Sequence, residues 1–392
     1  MRSNLSWGQL TGLKVGGAIC LPVIMAGHAL CQNYGLVSAL VAIFMGNAIL
    51  LIMALAMAKM SYESGMTTTD NASAFFGTLG TRCFSMALVI VKTSWIAIQL
   101  GLMALSFKTL LPETIPLSVL QVFLGALVIA VSMRGISLLS KITTLSLPLL
   151  LITLAYAIYS TRHVEPPFRE IPFTLEGISL AMATAITAVI DMPTYFRHAK
   201  TKRDGVLAAA LFIGVSVPLI EGIGIYLCYK HPGLTVIDTL NQSQNQLWNL
   251  WVTVFIVLAG WSTNNSNLYS AAAGLGTLVP QFPEKKRVVL IGCIGIILSL
   301  CGILQSFVFA LQILGVMVSS MGCVIVTRYM LKFRGSGKIN LMTWGLGAIV
   351  GLASACKIIT ITGVPLIDGC AVSVLATALN HLIQPIPEGE KI

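Results

Sequence analysis

Negative charge is scarce in this chain. Its 392 residues hold 14 Asp and Glu against 24 Lys and Arg, and charged residues make up only 10% of the total. That is too little charge to cover the surface of a soluble domain of this length, so a soluble fold is excluded. Strict alternation of apolar and polar residues is missing as well, which excludes a membrane β-barrel. The nine Cys fall mostly inside apolar runs, without metal-ligand or disulfide-framework spacing, and read as small buried apolar residues. The sequence has no H-E-x-x-H and no G-x-S-x-G, so no catalytic motif points to an enzyme. The start, MRSNLSWGQL, has no brief apolar core followed by a small-residue cleavage site, and no cleaved signal peptide is expected.

What is present is apolar: 56% of residues are hydrophobic and the mean hydropathy is +0.88. Apolar runs of about 20 residues recur, the length that crosses a bilayer core of roughly 30 Å. The fold class is therefore an all-α polytopic membrane protein. About twelve spans fall near 13–34, 36–60, 83–106, 116–134, 137–160, 174–196, 206–229, 247–276, 287–304, 306–330, 341–360 and 363–383. They form a single transmembrane domain over 1–392, with an exposed tail QPIPEGEKI.

The net charge of +10 would suit nucleic acid if the basic residues shared one patch. They cluster in alternate loops instead. With the N-terminus inside, inner loops hold Lys59, Arg82, Arg134, Lys141, the group Arg197, Lys200, Lys202 and Arg203, the group Lys285 to Arg287, and Arg328, Lys332, Arg334 and Lys338. Outer loops hold only Lys108, Arg162, Arg169, Lys230 and Lys357. This bias predicts a multi-pass protein of the cell (inner) membrane with both termini cytoplasmic. The partner this implies is membrane lipid, with no nucleic acid; the cation and small-molecule substrate also expected rest on the segments below.

Two spans carry helix-breaking residues. The first holds GGAICLP over 16–22, and the sixth holds IDMPTYFRH, with Asp191 and Pro193. Either is an ordinary kink when taken alone. Lying five spans apart, they fit corresponding positions of an inverted repeat, the first over about 13–160 and the second over about 174–330, with two extra helices over about 341–383.

The eighth span follows WVTVFIVL directly with AGWSTNNSNLYSAAAGL, residues 259–275. Ser and Thr hydroxyls are hard oxygen ligands that suit Na⁺ better than a soft metal. Ser262 and Thr263 are about 100° apart on a helix and can both reach one ion. The carbonyl of Ala259, and those near Gly16 and Ile19 in an opened first helix, would complete the shell. The competing reading is hydrogen-bonded glue between helices.

The run GWSTNNSNLYSAAAGL resembles the eighth-helix signature of the nucleobase:cation symporter-1 family, in particular its cytosine permease-like branch, which reads close to W-T-T-N-D-N-x-L-Y. DMPTYFRHAK, residues 191–200, is similar to the family's D-F-x-R-x-x-R-N-A-K segment at the end of helix six. FMGNAILLIMALAMAKMSYESGMTTTDNASAFFG, residues 44–77, is similar to its second helix and following loop. The resemblance implies a LeuT-like five-plus-five inverted repeat with helices one and six broken, working by alternating access. It implies a Na⁺ site between helices one and eight. Ser262 and Thr263 would bind by side chain and Ala259 by carbonyl, with Gly16 and Ile19 from helix one. No organic cofactor is implied; the coupling ion is Na⁺ or alternatively H⁺.

The third span carries Trp95 at its middle, away from the interfacial belts where Trp collects. It is either a core Trp or a flat wall for a planar ring; the family resemblance implies the wall, stacked on a base. Lys92 lies one turn earlier on the same face, and an ionisable residue at this depth is a functional expectation by default. The cytosine permease pattern has a neutral amide there. Lys offers donors and no acceptor, which fits carbonyl acceptors or a negative group; it can also pair with Glu221 or Asp191, or titrate. The family's helix-six aromatic aligns with Met182 and its helix-eight amide with Ala259, near Asn264. Thr184 and Gln99 are further polar candidates.

The leading expectation is Na⁺ symport of a nucleobase-like planar heterocycle. The alternative is a proton-coupled or exchange carrier for another small metabolite such as an amino acid, with Lys92 titrating.

Overall fold

The computed structural model describes residues 5–133, 136–165, 171–241, 245–333 and 335–383. Arg134, Arg169, Arg334 and the tail from 384 onward lie outside them, as does the side chain of Lys141.

The described chain is helical, with one isolated bridge between Leu5 and Ala199. The helices are α1 (Trp7–Ala18), α2 (Leu21–Ser64), α3 (Thr68–Lys108), α4 (Leu117–Ser132), α5 (Ile136–Thr161), α6 (Ile178–Ile190), α7 (Met192–Phe196), α8 (Lys202–Leu211), α9 (Val217–Lys230), α10 (Val236–Leu240), α11 (Gln246–Leu278), α12 (Glu284–Leu300), α13 (Phe307–Met330), α14 (Gly337–Ala355) and α15 (Pro365–Ile383). A π-helical segment, Phe212–Ser216, joins α8 to α9. Among the described residues, six helical stretches are long and apolar enough to cross a membrane, and the protein is a multi-pass membrane protein.

Sequence chemistry explains the breaks. The 44 residues of α2 would run about 66 Å if straight, twice a bilayer core. Gly35 turns the chain back with φ 77°, a left-handed conformation that costs glycine little. Between α1 and α2 the ladder fails at Ile19 and Cys20, where Pro22 stands at the start of the next helix. Between α6 and α7, Pro193 has no N–H to continue the ladder. Gly77 likewise breaks α3 with φ 65°: a short helix from Thr68 precedes the part that holds the expected span near 83–106. The first turns of α3 are polar and held by a Thr67/Asp70 capping box, a signal that apolar windows average away.

Two contacts set the frame of the cavity. The first half of α2 crosses α9 at Gly27 and Gly224, where a Cβ on either would strike the partner's backbone carbonyl, of Glu221 or Ile24. Small residues permit this approach between membrane helices. The start of α1 is tied to the segment after α7: Leu5 N–H donates to the His198 carbonyl at 2.9 Å, and Trp7 N–H to Asp204 Oδ1 at 2.9 Å.

Candidate functional site

The interruptions in α1–α2 and α6–α7 flank a cavity with a free volume of about 80 Å³. Trp95 and Lys92 of α3 and Thr184 of α6 line it, as do Lys14 of α1, Tyr195 of α7 and Ser266 of α11. Trp95, otherwise buried, is the large aromatic side chain that α3 contributes to the cavity wall.

Lys92 Nζ lies 3.2 Å from Asp191 Oδ2, and both residues are buried. Asp191 also accepts from Thr194 Oγ1 at 2.8 Å, Ser270 Oγ at 2.8 Å and Thr68 Oγ1 at 3.2 Å. Four donors around one carboxylate supply what a buried charge needs. The constellation joins α3, the α6–α7 junction and α11. Of the two carboxylates expected as partners of Lys92, the structure selects Asp191.

Glu221 is fully buried in α9 and makes a different set of contacts. Asn47 Nδ2 donates to its Oε2 at 2.6 Å, and Thr184 Oγ1 lies 2.7 Å from its Oε1. Thr184 thus faces the cavity on one side and Glu221 on the other.

At the end of α1, Cys20 N–H donates to the Ala18 carbonyl at 2.8 Å, where regular helix geometry would send it to Gly16. Side chains of α11 approach the released carbonyls. Ser262 Oγ lies 3.5 Å from Gly16 O, and Thr263 Oγ1 lies 3.0 Å from Gly17 O and 3.0 Å from Ala259 O. Thr263 has one hydroxyl proton for two carbonyls. This oxygen-rich corner has the donor chemistry of a hard, small cation. Ile19 caps α1, its N–H donating to Val15 O at 2.9 Å.

The polar run of α11 divides by face. Thr263, Ser266 and Asn267 line the cavity, and Ser270 reaches Asp191. Tyr195 OH and Ser266 Oγ are 3.0 Å apart, joining α7 to α11. Asn265 accepts from Ser132 of α4, and Asn264 turns to α3, its Nδ2 3.8 Å from the Met103 sulfur.

Lys92, Trp95 and Thr184 therefore meet at one cavity, and Ser262, Thr263, Ala259 and Gly16 meet at one corner. Gln99, Met182 and Asn264 do not line the cavity. Met182 is fully buried against Gly46 of α2, and Gln99 lies against Gly260 of α11. Lys14 and Tyr195 are cavity residues that the sequence reading passed over. The available signal for Lys14 was a cation two residues before the glycine pair of an apolar span.

A helical membrane bundle with interrupted helices around a mainly apolar cavity that carries a few polar groups is an architecture used by membrane carriers. The fold matches two structures of Mhp1, a nucleobase-cation-symport-1 family transporter. One is closed with bromovinylhydantoin bound, with TM-score 0.80 and 18% identity over 99% of this chain and 95% of that one. The other faces inward, with TM-score 0.76 and 18% identity over 99% and 95%. A Na⁺-coupled sialic acid symporter in a substrate-bound outward-open state matches with TM-score 0.69 and 12% identity over 98% and 91%. The family model for permeases of cytosine/purines, uracil, thiamine and allantoin matches residues 4–346, and the chain belongs to that family. Its family is one of transporters, not of enzymes. No curated protein matches the chain.

Proposed function

We propose that this protein is a secondary active transporter that takes up a nucleobase-like planar heterocycle with Na⁺ by alternating access. The observation that carries the reading is the shared position of two features: a cavity walled by Trp95 and an oxygen cluster at Ser262 and Thr263, both at the α1–α2 interruption. Occupying both sites joins α1 to α11 through the ion and to α3 through the base. Each ligand then favours the same arrangement of helices, which is what coupling requires.

Twelve spans form the carrier, reckoned by dividing α2 at Gly35, counting α1 with the first half of α2, α6 with α7, and α8 with α9 as one span each, and leaving out the five-residue α10. Five-plus-five repeats over about 13–160 and 174–330, with two extra helices, fit the paired interruptions. Both termini are cytoplasmic in a cell (inner) membrane, as the distribution of Lys and Arg supports. The ion is held by Ser262, Thr263 and the carbonyls of Ala259 and the end of α1, near Gly16 and Ile19. The base stacks on Trp95 beside Lys92 and Thr184.

A second reading, proton coupling, is favoured by one observation. Glu221 forms no salt bridge among the described residues and touches the cavity-lining Thr184. Thermal unfolding of the purified protein with a panel of nucleobases, in Na⁺ and in K⁺, tests both readings. Stabilisation by a base that is larger in Na⁺ supports the first. Equal stabilisation in the two salts, rising as pH falls, supports the second.

A further inference from the structure

The charge inventory of the cavity narrows its substrate. Two ammonium groups line it, Lys14 and Lys92. Asp191 is the carboxylate within salt-bridge distance of either, and it is taken by Lys92 at 3.2 Å. Its other contacts are the hydroxyls of Thr68, Thr194 and Ser270. Glu221 is turned to Asn47 and Thr184.

Lys14 forms no salt bridge among the described residues. Its Nζ donates to the Ala188 carbonyl at 3.3 Å, sits 4.3 Å from the centroid of the Tyr195 ring and 6.0 Å from that of Phe196. The residue is buried, and Lys92 and Asp191 lie within electrostatic range. A carbonyl and an aromatic face partly compensate an ammonium but cancel no charge. With Lys14, Lys92 and Asp191 ionised, the cavity holds two positive charges against one negative. An unmatched ammonium at this depth is costly: it either gives up its proton or meets a ligand of opposite sign, and an anionic ligand keeps it charged.

We infer that the substrate is a monoanionic planar heterocycle, its ring on Trp95 and its negative group, a carboxylate or a deprotonated ring imide, held by Lys14 with Lys92 adjoining. This rests on the reading of the protein as a heterocycle carrier and specifies which heterocycles it prefers. A neutral base would satisfy the stacking wall and leave the second ammonium unanswered. A cationic ring would add a third positive charge.

Calorimetric titration of the purified protein with uracil, cytosine and uracil-6-carboxylate tests the inference. The carboxylate should bind at least about tenfold more tightly than uracil, a difference of about 1.4 kcal/mol. Lys14→Met should bring the two to within about threefold, and Lys14→Arg should keep the preference, since Arg retains the charge. Unfolding temperatures of both variants check that they are folded; if Lys14→Met is not, the ratio in the native protein and in Lys14→Arg decides. Uracil or cytosine binding as tightly as the carboxylate, or a preference untouched by Lys14→Met, overturns the inference and leaves the heterocycle carrier standing. Binding of none of the three overturns both.

Discussion

The Lys92 ammonium lies 3.2 Å from the Asp191 carboxylate, with both residues buried, and the pair ties the middle of α3 to the junction of α6 and α7. One partner faces the cavity and the other anchors hydroxyls from α3, α7 and α11. Breaking such a pair from one side strands a charge, at a cost of about 3–5 kcal/mol. Lys92→Met should therefore lower the unfolding temperature sharply. Lys92→Met with Asp191→Asn should recover part of the loss: the stranded Asp191 carboxylate is gone, and the Lys14 ammonium that remains has no salt bridge among the described residues in the native protein either. A double variant less stable than Lys92→Met would contradict a charge-balanced pair.

The crossing of α2 and α9 makes a steric prediction. Gly27→Ala and Gly224→Ala each push a methyl into a backbone carbonyl that cannot rotate aside, and should destabilise by about 1–3 kcal/mol or more. Gly12→Ala is the control: nothing lies within 4 Å of its added methyl, and the helix gains about 0.5–1 kcal/mol of propensity. Denaturant or thermal unfolding of the three variants in one detergent separates the outcomes.

Glu221 should tolerate an amide better than a hydrocarbon. In Glu221→Gln the carbonyl oxygen still accepts from Asn47, and the new NH₂ donates to Thr184, whose own proton can go to the Ala181 carbonyl at 2.8 Å. That change should cost under about 1 kcal/mol, while Glu221→Leu orphans an Asn47 N–H and should cost about 1–3 kcal/mol. The difference is read from unfolding midpoints.

Trp95 should matter to ligand and also to fold, because it is buried in the core as well as lining the cavity. Trp95→Phe keeps a ring on the cavity wall and should weaken base binding modestly. Trp95→Ala removes the stacking surface, for which about 1–3 kcal/mol per base is typical, and should weaken binding by roughly five- to 150-fold. Titration of one base against both variants checks the order.

The legible part of this protein was its lipid-facing chemistry and its chain breaks. Apolar runs marked the helices, and GGAICLP and DMPTYF marked the places where α1 gives way to α2 and α6 to α7. Ser262 and Thr263 were recognisable because six consecutive polar residues are anomalous in lipid, and the structure brings both to carbonyls at the end of α1. Helix rotation was not legible. Met182 turns to Gly46 and Asn264 to Met103 because of packing partners more than a hundred residues away. The same distance hid the choice between Asp191 and Glu221 as the partner of Lys92, 99 and 129 residues along the chain. Lys14 was hidden differently: at the edge of an apolar window it reads as an interfacial cation, and only the fold carries it into the cavity.

Uptake of a labelled base into proteoliposomes, driven by an inward Na⁺ gradient and compared with an equal K⁺ gradient, tests the central claim most directly. The native protein should accumulate the base above its external concentration only with Na⁺. The double variant Ser262→Ala, Thr263→Ala, folded by its unfolding temperature, should lose that accumulation while still exchanging base across the membrane. Accumulation of equal size in Na⁺ and K⁺, or a double variant that still concentrates the base with Na⁺, would contradict the account.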